Sequence, residues 1–548
     1  MCIRCVSKST AVRLLSSWGA GSAPCALARA IGGAEAQAPR AAGVRLYSSM
    51  PQPAEQHGAN VNEREGKVAH PTLLNADLLK AQYAVRGELY NKALELQKQG
   101  RELIFTNVGN PQQLGQQPIH FNRQVLSLMA APFLLDNPAV ASLFPKDAIE
   151  RARKLHKTFG SVGAYTDSRG NPGVRQEVAD FIQQRDGYPA NPEHIFLTDG
   201  ASVAVRLLLN ALIRDSNDHI LVPIPQYPLY SASIQLYGGT LLPYNLKEQT
   251  GWSMDFNEIT RTVHEARNRG ACVRGLVFIN PGNPTGQCLT EDNLRDLVKF
   301  AHNEKVVLMA DEVYQPNVYQ DEKPFVSAKK VLGDLGAPYS DSVELASFHT
   351  VSKGVLGECG LRGGYVELTN FHPGTIDELY KAVSINLSPN TMGQAVSINL
   401  SPNTMGQVAM SLMVNPPQPG SESYQQWKKE HDEGLASLRR RAHAMTDGFN
   451  ALDGVTCTFT EGAMYSFPRL HLPPKAIAAA KAAGKTPDTF YCLQLLEATG
   501  IVTVPGSGFG QEEGTFHLRT TILPPEEKIG EFVKLFQDFH KGFMAKYA

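Results

Sequence analysis

The sequence predicts an α/β protein in which a mostly parallel sheet carries helices on both faces and a smaller α+β part follows. Two observations lead to this prediction. From about residue 194, short apolar runs alternate with amphipathic segments of helical spacing, which is the pattern of parallel strands joined by crossover helices. At the proline-rich residues 416–420 this alternation stops. We therefore expect a large domain over residues 106–415 and a small domain over residues 416–548.

Strands of the large domain are expected where apolar residues run without interruption. These runs are HIFLT at 194–198, HILVP at 219–223, GLVFIN at 275–280, VVLMA at 306–310 and ELASF at 344–348. Helices are expected from Ala201, over residues 229–236 and over residues 292–304. Ligands of such sheets bind beyond the carboxyl ends of the strands. The loops 280–287 and 311–315 are therefore predicted to form the binding site.

A helical segment precedes the sheet, and a mixed segment follows it. Residues 75–99 are predicted to form one helix, because apolar residues recur there near helical spacing: Leu78, Leu79, Tyr83, Leu89, Ala93 and Leu96. With the polar residues before it, this helix forms an N-terminal arm over residues 51–105. In the small domain we expect a long charged helix through residues 439–441, strands near 455–469 and 515–522, and a closing helix after Pro525.

The first fifty residues differ in composition from the rest of the chain. Glu35 is their only acidic residue, and six basic residues are set among Ser, Ala, Leu and Gly: Arg4, Lys8, Arg13, Arg29, Arg40 and Arg45. This composition predicts a transit peptide for the mitochondrial matrix, with a chloroplast as the alternative address and a disordered tail as the structural alternative. The segment RLYSS at 45–49 resembles a mitochondrial processing site and indicates cleavage near Tyr47.

Bulk composition excludes several classes of function. Fifty-two Lys and Arg residues balance 53 Asp and Glu residues, so nothing favours nucleic acid as a partner. No apolar run approaches the roughly 20 residues that span a bilayer. The eight cysteines are scattered apart from Cys2 and Cys5, and no second pair follows at zinc-site spacing, so we expect neither a disulfide scaffold nor a metal site. The expected ligand is a small molecule.

One segment of the chain is duplicated. AVSINLSPNTMGQ occurs at residues 382–394 and again at residues 395–407. Two copies of 13 residues are too few and too short for a solenoid, so a recent duplication or a gene-prediction error explains them better than a functional repeat. The Ser-Pro-Asn in each copy favours a loop, and we expect the extra copy to loop out of the fold.

The first motif with chemical potential is SFHTVSKG at 347–354, followed by CGLRGG at 359–364. A lysine directly after a strand fits an amine that forms a Schiff base, which points to Lys353. Thr350 and Ser352 offer hydroxyl donors to a phosphate, and Arg362 offers a charged fork. The alternative is a surface lysine beside a turn.

A second motif is the apolar strand at 306–310 that ends in ADEVY. It places Asp311 at the carboxyl edge of the sheet, where the carboxylate could keep a pyridine nitrogen protonated. Tyr314 could donate to a ring oxygen. The alternative is a helix-capping aspartate with a packed tyrosine.

The third motif is NPGNPTG at 280–286. Its prolines stiffen the turn and fix the direction of the Asn283 amide, which can bond a ring oxygen and a substrate carboxylate. Turn chemistry alone also explains the segment.

In this order and at these intervals, the three motifs resemble the hallmarks of fold-type I aminotransferases, and the resemblance covers about residue 75 to the end of the chain. Five further segments resemble the alanine aminotransferase branch, especially its plant-type members: YTDSRG at 165–170, TDGAS at 198–202, QYPLY at 226–230, GAMY at 462–465 and VPGSGFG at 504–510.

The resemblance implies pyridoxal 5'-phosphate as the cofactor and a role for each matching residue. Lys353 would hold the cofactor covalently, Asp311 would pair with its ring nitrogen, and Asn283 and Tyr314 would bind its phenolic oxygen. Phosphate contacts would come from the helix start at Gly200, Ala201 and Ser202, with ordinary helix initiation as the alternative.

The remaining roles concern the ring, the substrate and the partner. Tyr227 would stack on the cofactor ring, or else be an ordinary buried aromatic. Tyr165 would reach the phosphate of the neighbouring subunit, which implies a homodimer with shared sites. Arg519, in FHLRTT, would hold the substrate α-carboxylate, and Gly109, in VGNP, would close over the substrate.

The implied reaction is a ping-pong transfer through Lys353 in which L-alanine and 2-oxoglutarate give pyruvate and L-glutamate. Three alternatives stay open. A glutamate:glyoxylate aminotransferase is a sister of this branch that is usually sent to peroxisomes, and the final residues AKYA are not an SKL-type address. Aminocyclopropane-carboxylate synthase shares the fold and the lysine. A non-catalytic cofactor-binding regulator would need a DNA-binding module, and the leader shows no helix-turn-helix pattern.

Overall fold

The computed structural model describes residues 74–82, 87–386 and 401–548. The predicted transit peptide, the polar part of the arm, Cys2 and Cys5 lie outside the described residues. So does the segment 387–400, which contains most of the duplicated sequence and the predicted loop. None of the helices in the described part of the chain has the length and apolar content needed to cross a bilayer.

The α-helices of the described residues are, in chain order, α1 (Ala76–Lys80), α2 (Glu88–Lys98), α3 (His120–Ala130), α4 (Val140–Leu143), α5 (Lys146–Phe159), α6 (Pro172–Asp186), α7 (Ala201–Leu212), α8 (Leu229–Leu236), α9 (Phe256–Asn268), α10 (Glu291–Glu304), α11 (Ala328–Leu335), α12 (Tyr339–Ser342), α13 (Pro373–Asn386), α14 (Thr404–Val414), α15 (Tyr424–Asn450), α16 (Pro474–Ala482), α17 (Pro487–Thr499) and α18 (Glu526–Tyr547). Single turns of 3₁₀-helix occur between them, among which Glu248–Thr250 and Gly506–Phe509 bear on the site.

The strands are β1 (Ile104–Phe105), β2 (Ile195–Thr198), β3 (Asp218–Ile224), β4 (Thr240–Lys247), β5 (Ser253–Met254), β6 (Cys272–Ile279), β7 (Val307–Asp311), β8 (Leu345–Thr350), β9 (Gly364–Thr369), β10 (Val455–Thr456), β11 (Tyr465–Ser466), β12 (Arg469–Leu470), β13 (Ile501–Val502), β14 (Val504–Pro505) and β15 (Leu518–Thr521). Each of the five predicted strands is present, and α8 has the predicted bounds.

Eight of these strands form one central sheet in the order β2-β9-β8-β7-β6-β3-β4-β5. The pairs β8–β7, β7–β6, β6–β3 and β3–β4 are parallel, whereas β2, β9 and β5 pair antiparallel with their neighbours. The prediction of an α/β fold with a mostly parallel sheet is thus confirmed. Helices cover both faces, so β7 is buried along its whole length, as uninterrupted apolar runs require.

The carboxyl ends of three neighbouring strands meet at one edge of the sheet. Ile279, which ends β6, pairs with Asp311, which ends β7, and Asp311 pairs with Phe348 of β8. The loops after these strands carry the polar motifs of the sequence. The sheet therefore brings together residues that the chain separates by about 70 positions.

The part after residue 416 has the predicted elements. The charged helix is α15, the short strands β11, β15 and β14 form a three-stranded antiparallel sheet, and α18 closes the chain. Its apolar core also takes in Leu89 and Ala93 from α2, and β1 pairs in parallel with β13. The division of the chain at residue 416 stays a prediction.

The prediction of one continuous helix over residues 75–99 is wrong. Helix α1 ends at Lys80, Ala81 has extended backbone with ψ of 125°, and α2 begins at Glu88. Leu78 and Leu79 are 51 % and 54 % exposed, so apolar spacing in this stretch does not correspond to a face packed on the core. Packing against a partner, which spacing does not report, decides where such a helix ends.

The two copies of the duplicated segment meet different elements. Residues 382–386 of the first copy end α13, and residues 401–407 of the second copy lead into α14. The Asn403 side chain caps α14 by accepting hydrogen bonds from the backbone N–H groups of Met405 and Gly406. The backbone N–H of Asn403 donates to Asp199 Oδ1 at 2.7 Å. The second copy is therefore tied to the loop that precedes α7.

Candidate active site

A cavity of about 590 Å³ lies where β6, β7 and β8 end. Most of the residues singled out in the sequence line it: Gly109, Ala201, Ser202, Tyr227, Asn283, Asp311, Tyr314, Thr350, Ser352, Lys353, Arg362 and Arg519. They come from the sheet edge, from the start of α7 and from strand β15. The fold thus brings together motifs from opposite ends of the chain.

Asp311, the last residue of β7, is buried in the wall of this cavity. Burial raises the pKa of its carboxyl to about 6, although the hydrogen bond from Tyr230 and the charge of Lys353 oppose the shift. Tyr230, on α8, donates to Oδ2 at 2.7 Å. Oδ1 has no hydrogen-bond partner among the described residues. A buried carboxylate oxygen of this kind fits a cationic N–H donor such as a protonated pyridine nitrogen.

Lys353 lies in the turn after β8, with Nζ 5.5 Å from the ring centroid of Tyr314. The Tyr314 hydroxyl donates to the Tyr465 hydroxyl at 3.4 Å. Burial raises the pKa of Tyr314 well above its ordinary value. Burial opposes ionisation of Tyr465 too, but the charges of Lys353 and Arg519 lower its pKa below the ordinary value. An amine and two hydroxyls of different acidity therefore lie together, which suits proton transfer.

Arg519, on β15, is 1 % exposed. Its Nη1 donates to Asn283 Oδ1 at 3.0 Å, and its Nη2 donates to the Asn107 carbonyl at 2.5 Å. The guanidinium lies 4.2 Å from the ring centroid of Tyr465 and 4.7 Å from that of Phe509. A guanidinium has five N–H donors, and Nε has no partner in the described part of the chain. Arg519 is thus a fixed cation with donors left for a carboxylate.

The start of α7 and Arg362 form the opposite side of the cavity. Gly200 has φ of +87°, and a Cβ at this position would lie 2.4 Å from Arg362 Nη2. Arg362 Nη2 donates to the Asp199 carbonyl at 2.8 Å, and Nη1 donates to the Cys359 carbonyl at 3.0 Å. The first N–H groups of a helix have no intrahelical acceptor, so a guanidinium beside the first turn of α7 makes an anion site.

The hydroxyls of Thr350 and Ser352, both in the cavity wall, make different contacts. The Thr350 hydroxyl donates to the Gly363 carbonyl at 2.7 Å and so is engaged with the backbone. The Ser352 hydroxyl accepts from Arg362 Nη1 at 3.5 Å. Because a carbonyl can only accept, the Thr350 hydroxyl is the donor in this bond and helps to hold the glycine-rich turn. The Ser352 hydroxyl lies beside the Arg362 guanidinium.

These observations fit pyridoxal phosphate. Lys353 offers an amine for its aldehyde, Asp311 offers an unpaired oxygen for its ring nitrogen, and Arg362 with the start of α7 offers an anion site for its phosphate. Asn283 and Tyr314 line the same cavity. The donor set matches each functional group of the cofactor with a residue of complementary chemistry.

Three predicted site residues have particular positions. Tyr227 lines the cavity, as an aromatic that stacks on a ring requires. Gly109 lies so close to Tyr465 that a Cβ on it would be 2.7 Å from the tyrosine hydroxyl. Tyr165 is 63 % exposed and is not part of the cavity wall of its own chain. Its contact with a neighbouring subunit stays a prediction.

Sequence reasoning did not assign roles to Tyr230, Tyr465 or Asn107. Tyr230 and Tyr465 fall within the quoted segments at 226–230 and 462–465, so the signal was present, but their partners lie far away in sequence. Asn107 contributes a backbone carbonyl, which no residue pattern reveals. No group of His, Cys, Asp or Glu residues with the arrangement of a metal site occurs within residues 74–82, 87–386 and 401–548.

Comparisons with known proteins agree with this chemistry. Residues 136–536 match the family described as aminotransferase class I and II. The chain is 60 % identical over 476 residues to glutamate–glyoxylate aminotransferase 2 of Arabidopsis thaliana, covering 87 % of this chain and 96 % of that protein. It is 50 % identical over 482 residues to the probable alanine aminotransferase, mitochondrial, of Dictyostelium discoideum, covering 85 % of this chain and 88 % of that protein. The solved alanine aminotransferase from Pyrococcus furiosus has the same fold, with a TM-score of 0.66 at 24 % identity over 86 % of this chain and 100 % of that one.

Proposed function

The chain belongs to the class I and II aminotransferases, and from this premise we propose that it transfers the amino group of L-glutamate to glyoxylate. It is an enzyme with the fold-type I architecture, and its cofactor is pyridoxal phosphate. The observation that carries the proposal is that the Lys353 amine, the Asp311 carboxyl and the Arg519 guanidinium line one cavity. The choice of glyoxylate is supported by the 60 % identity to a glutamate–glyoxylate aminotransferase.

A second reaction is favoured by a separate observation. The chain is 50 % identical to a probable alanine aminotransferase, and the sequence segments at 165–170 and 504–510 resemble that branch. We therefore keep transfer between L-alanine and 2-oxoglutarate as the alternative. The relatives support glyoxylate as the acceptor better than they support the alanine reaction expected from sequence. Neither of these two sequence identities supports an aminocyclopropane-carboxylate synthase or a non-catalytic regulator.

Different residues of the chain have different roles in the proposed amino transfer. Bound in this cavity, pyridoxal phosphate supplies an aldehyde for condensation with amines and a protonated ring that withdraws electrons from the substrate Cα. Asp311 would keep the ring nitrogen protonated, and Arg519 would fix the α-carboxylate of the substrate. Lys353 would take the proton from the substrate Cα and deliver it to the carbon on the other side of the transferred nitrogen.

Several residues would position the substrate and the cofactor. Arg519 is itself held by Asn283 and by the Asn107 carbonyl, so its fork does not need to reorganise when a carboxylate binds. Arg362 and the first turn of α7 hold the phosphate end, with Ser352 beside them. A Cβ at Gly109 would lie 2.7 Å from the Tyr465 hydroxyl and 3.6 Å from Lys353 Nζ, so a side chain at this position would crowd both groups.

Assembly and location are part of the proposal. The exposed Tyr165 suits a contact with the phosphate in the partner's cavity, which supports a homodimer with shared sites. The basic, acid-poor first fifty residues and the mitochondrial naming of a relative support import into the mitochondrial matrix. A fusion of residues 1–50 to a fluorescent protein tests the import, and a diffuse cytosolic signal would contradict it.

The test of the function is steady-state kinetics on the purified chain with four donor and acceptor pairs: glutamate with glyoxylate, alanine with glyoxylate, alanine with 2-oxoglutarate, and glutamate with pyruvate. We expect the highest kcat/KM for glyoxylate as acceptor. A clear preference for pyruvate and 2-oxoglutarate would support the alanine reaction instead.

A pair of lysine variants tests whether the cavity carries out this reaction. Lys353→Ala should abolish turnover and the absorbance of the lysine-bound cofactor. Lys330→Ala, which removes an exposed lysine paired with Asp334, should change neither. Near-normal activity of Lys353→Ala would refute the assignment of this cavity.

A further inference from the structure

A partly buried contact between Glu248 and His517 connects the sheet to the strand that carries Arg519. Glu248 lies in the 3₁₀ turn after β4, and its Oε1 is 3.2 Å from His517 Nε2. His517 is 2 % exposed and precedes Arg519 by two positions. Glu248 Oε2 accepts from Arg469 Nη1 at 3.0 Å. Glu248 therefore joins two cations of the C-terminal part to the central sheet.

Both ring nitrogens of His517 have side-chain partners. Its Nδ1 faces Gln511 Oε1 at 3.0 Å. The Gln511 amide is oriented by Asp488, because Nε2 donates to Asp488 Oδ2 at 3.2 Å, so the oxygen of the amide must face the histidine. Both ring nitrogens of His517 thus meet acceptors, and the arrangement is complete when both carry hydrogen. Imidazolium and carboxylate then form a charge-assisted hydrogen bond.

Two structural connections link His517 to Arg519. Along the backbone, residues two apart in an extended strand project from the same face. Through side chains, His517 stacks on Phe467 with centroids 4.7 Å apart and rings 1° from parallel. Phe467 meets Phe509 edge-on at 5.9 Å, and the Arg519 guanidinium lies over Phe509 at 4.7 Å. A shift of His517 therefore displaces the support of Arg519.

We propose that His517 and Glu248 act as a charged clamp that positions Arg519 for the substrate carboxylate. His517 is a positioning residue in this account, since it does not line the cavity. The inference rests on the proposed function, because it takes Arg519 as the carboxylate site. It adds that carboxylate affinity depends on an ion pair outside the cavity.

The charged groups that face His517 are Glu248 directly, Arg469 on β12 across Glu248, and Asp488 on α17 behind Gln511. Burial opposes ionisation of Glu248, but its contacts with His517 and Arg469 lower its pKa below the ordinary value. Glu248 thus stays ionised near neutral pH and is available as the acceptor for His517 and Arg469.

The experiment compares His517→Gln and Glu248→Gln with the unaltered holoenzyme. We measure KM and kcat for glyoxylate in the half-reaction that starts from the amine form of the cofactor, and the dissociation constant of glutarate, an unreactive dicarboxylate, by calorimetry. Each variant should raise the KM and the glutarate dissociation constant by about three- to tenfold. We expect kcat and the cofactor absorbance to be nearly unchanged.

A matched histidine separates positioning from general loss of structure. His540 is 1 % exposed and contacts the Tyr491 hydroxyl and the Asp453 carbonyl within the C-terminal core. His540→Gln should lower the melting temperature as His517→Gln does, with no change in either carboxylate constant. If His517→Gln fails to fold, the part-exposed Glu248→Gln still tests the clamp. In the double variant the two effects should not add, because both substitutions break one interaction.

The outcomes also distinguish a failure of the clamp proposal from a failure of the proposed function. Arg519→Lys should raise the KM more strongly than either clamp variant. If Arg519→Lys leaves the KM unchanged, the carboxylate assignment of the proposed function fails. If Arg519→Lys raises the KM while the clamp variants match His540→Gln, the clamp alone is overturned.

Discussion

Tyr230 and Asp311 are joined by a hydrogen bond of 2.7 Å that occupies one oxygen of the carboxyl and leaves the other facing the cavity. The bond crosses from α8 to the end of β7. It orients the carboxyl and, at the same time, opposes the rise in its pKa that burial causes. A cofactor ring nitrogen bound at Asp311 would thus meet an acceptor whose direction and charge are both influenced by a residue outside the sheet.

Replacing Tyr230 by Phe should weaken cofactor binding. The change removes a hydrogen bond to the ionised carboxyl, so the pKa of Asp311 should rise above about 6. Loss of one such bond corresponds to about a five- to tenfold higher dissociation constant for pyridoxal phosphate, measured by absorbance titration of the cofactor-free protein. Tyr244→Phe is the control, because Tyr244 is equally buried but donates to the Val277 carbonyl. Equal losses in both variants would contradict the role of Tyr230.

Asp311→Asn should stabilise the cofactor-free protein increasingly as pH rises. Burial raises the pKa of Asp311 to about 6, so the native carboxyl binds more protons than the unfolded one between its ordinary pKa and about 6. Stability from this group is therefore present at low pH and is lost as pH rises through about 6. Relative to the unaltered protein, the variant should gain about 1.5 kcal/mol at pH 5 and about 3 kcal/mol at pH 8.

Urea unfolding of both cofactor-free proteins at the two pH values measures this difference. A gain that does not grow with pH would show that Asp311 is ionised without penalty. With cofactor present the order should reverse, because the pyridine nitrogen then pairs with the carboxylate.

Gly200→Ala should disturb the phosphate site through Arg362. Gly200 has φ of +87°, and the added Cβ would lie 2.4 Å from Arg362 Nη2. The guanidinium must move, and we expect at least about a tenfold loss of affinity for pyridoxal phosphate, with little change for pyridoxal, which has no phosphate. Gly187→Ala is the control, since Gly187 has φ of +80° with nothing within 4 Å of an added Cβ. It shares the backbone strain and should keep the affinity.

Deleting one copy of the duplicated segment, residues 382–394, should preserve activity. The copies are identical, so the remaining one can end α13 and also supply the Asn403 cap of α14. Turnover should stay within about twofold of the full chain and the melting temperature should not fall, since a change in chain length between two elements costs little entropy. A large loss of activity would show that both copies are needed.

Two single substitutions ask which copy occupies the α14 position. Asn403→Ala should cost about 1 kcal/mol through loss of the helix cap. Asn390→Ala, the same residue of the first copy, should be neutral. The reverse result would assign the cap to the first copy.

Much of the site was predictable because the carboxyl ends of neighbouring parallel strands lie at one edge of the sheet, so the short motifs that follow them lie close together. Once GLVFIN, VVLMA and ELASF are neighbouring strands, Asn283, Asp311 and Lys353 follow at a common edge. What sequence did not reveal depends on side-chain contacts between distant segments. The bond from Tyr230 to Asp311 and the contact of Glu248 with His517 join residues that no local pattern relates.

One sequence prediction was wrong for a physical reason. Residues 75–99 have helical spacing, but an apolar face stabilises a helix in a protein when it packs on a surface, and Leu78 and Leu79 remain about half exposed. The phosphate contact of Thr350 stays a prediction, and in this structure its hydroxyl contacts the Gly363 carbonyl and the Ser352 hydroxyl.

The pairing of β1 with β13 has a consequence for the order in which the protein is made. On the ribosome, residues 104–105 emerge about 400 residues before the segment with which they pair. Contacts of such long sequence separation form late and slow folding. The apolar side of α2, which joins the same core, must stay unsatisfied or shielded during that interval. We therefore expect the nascent chain to depend on a chaperone until its last helix has been synthesised.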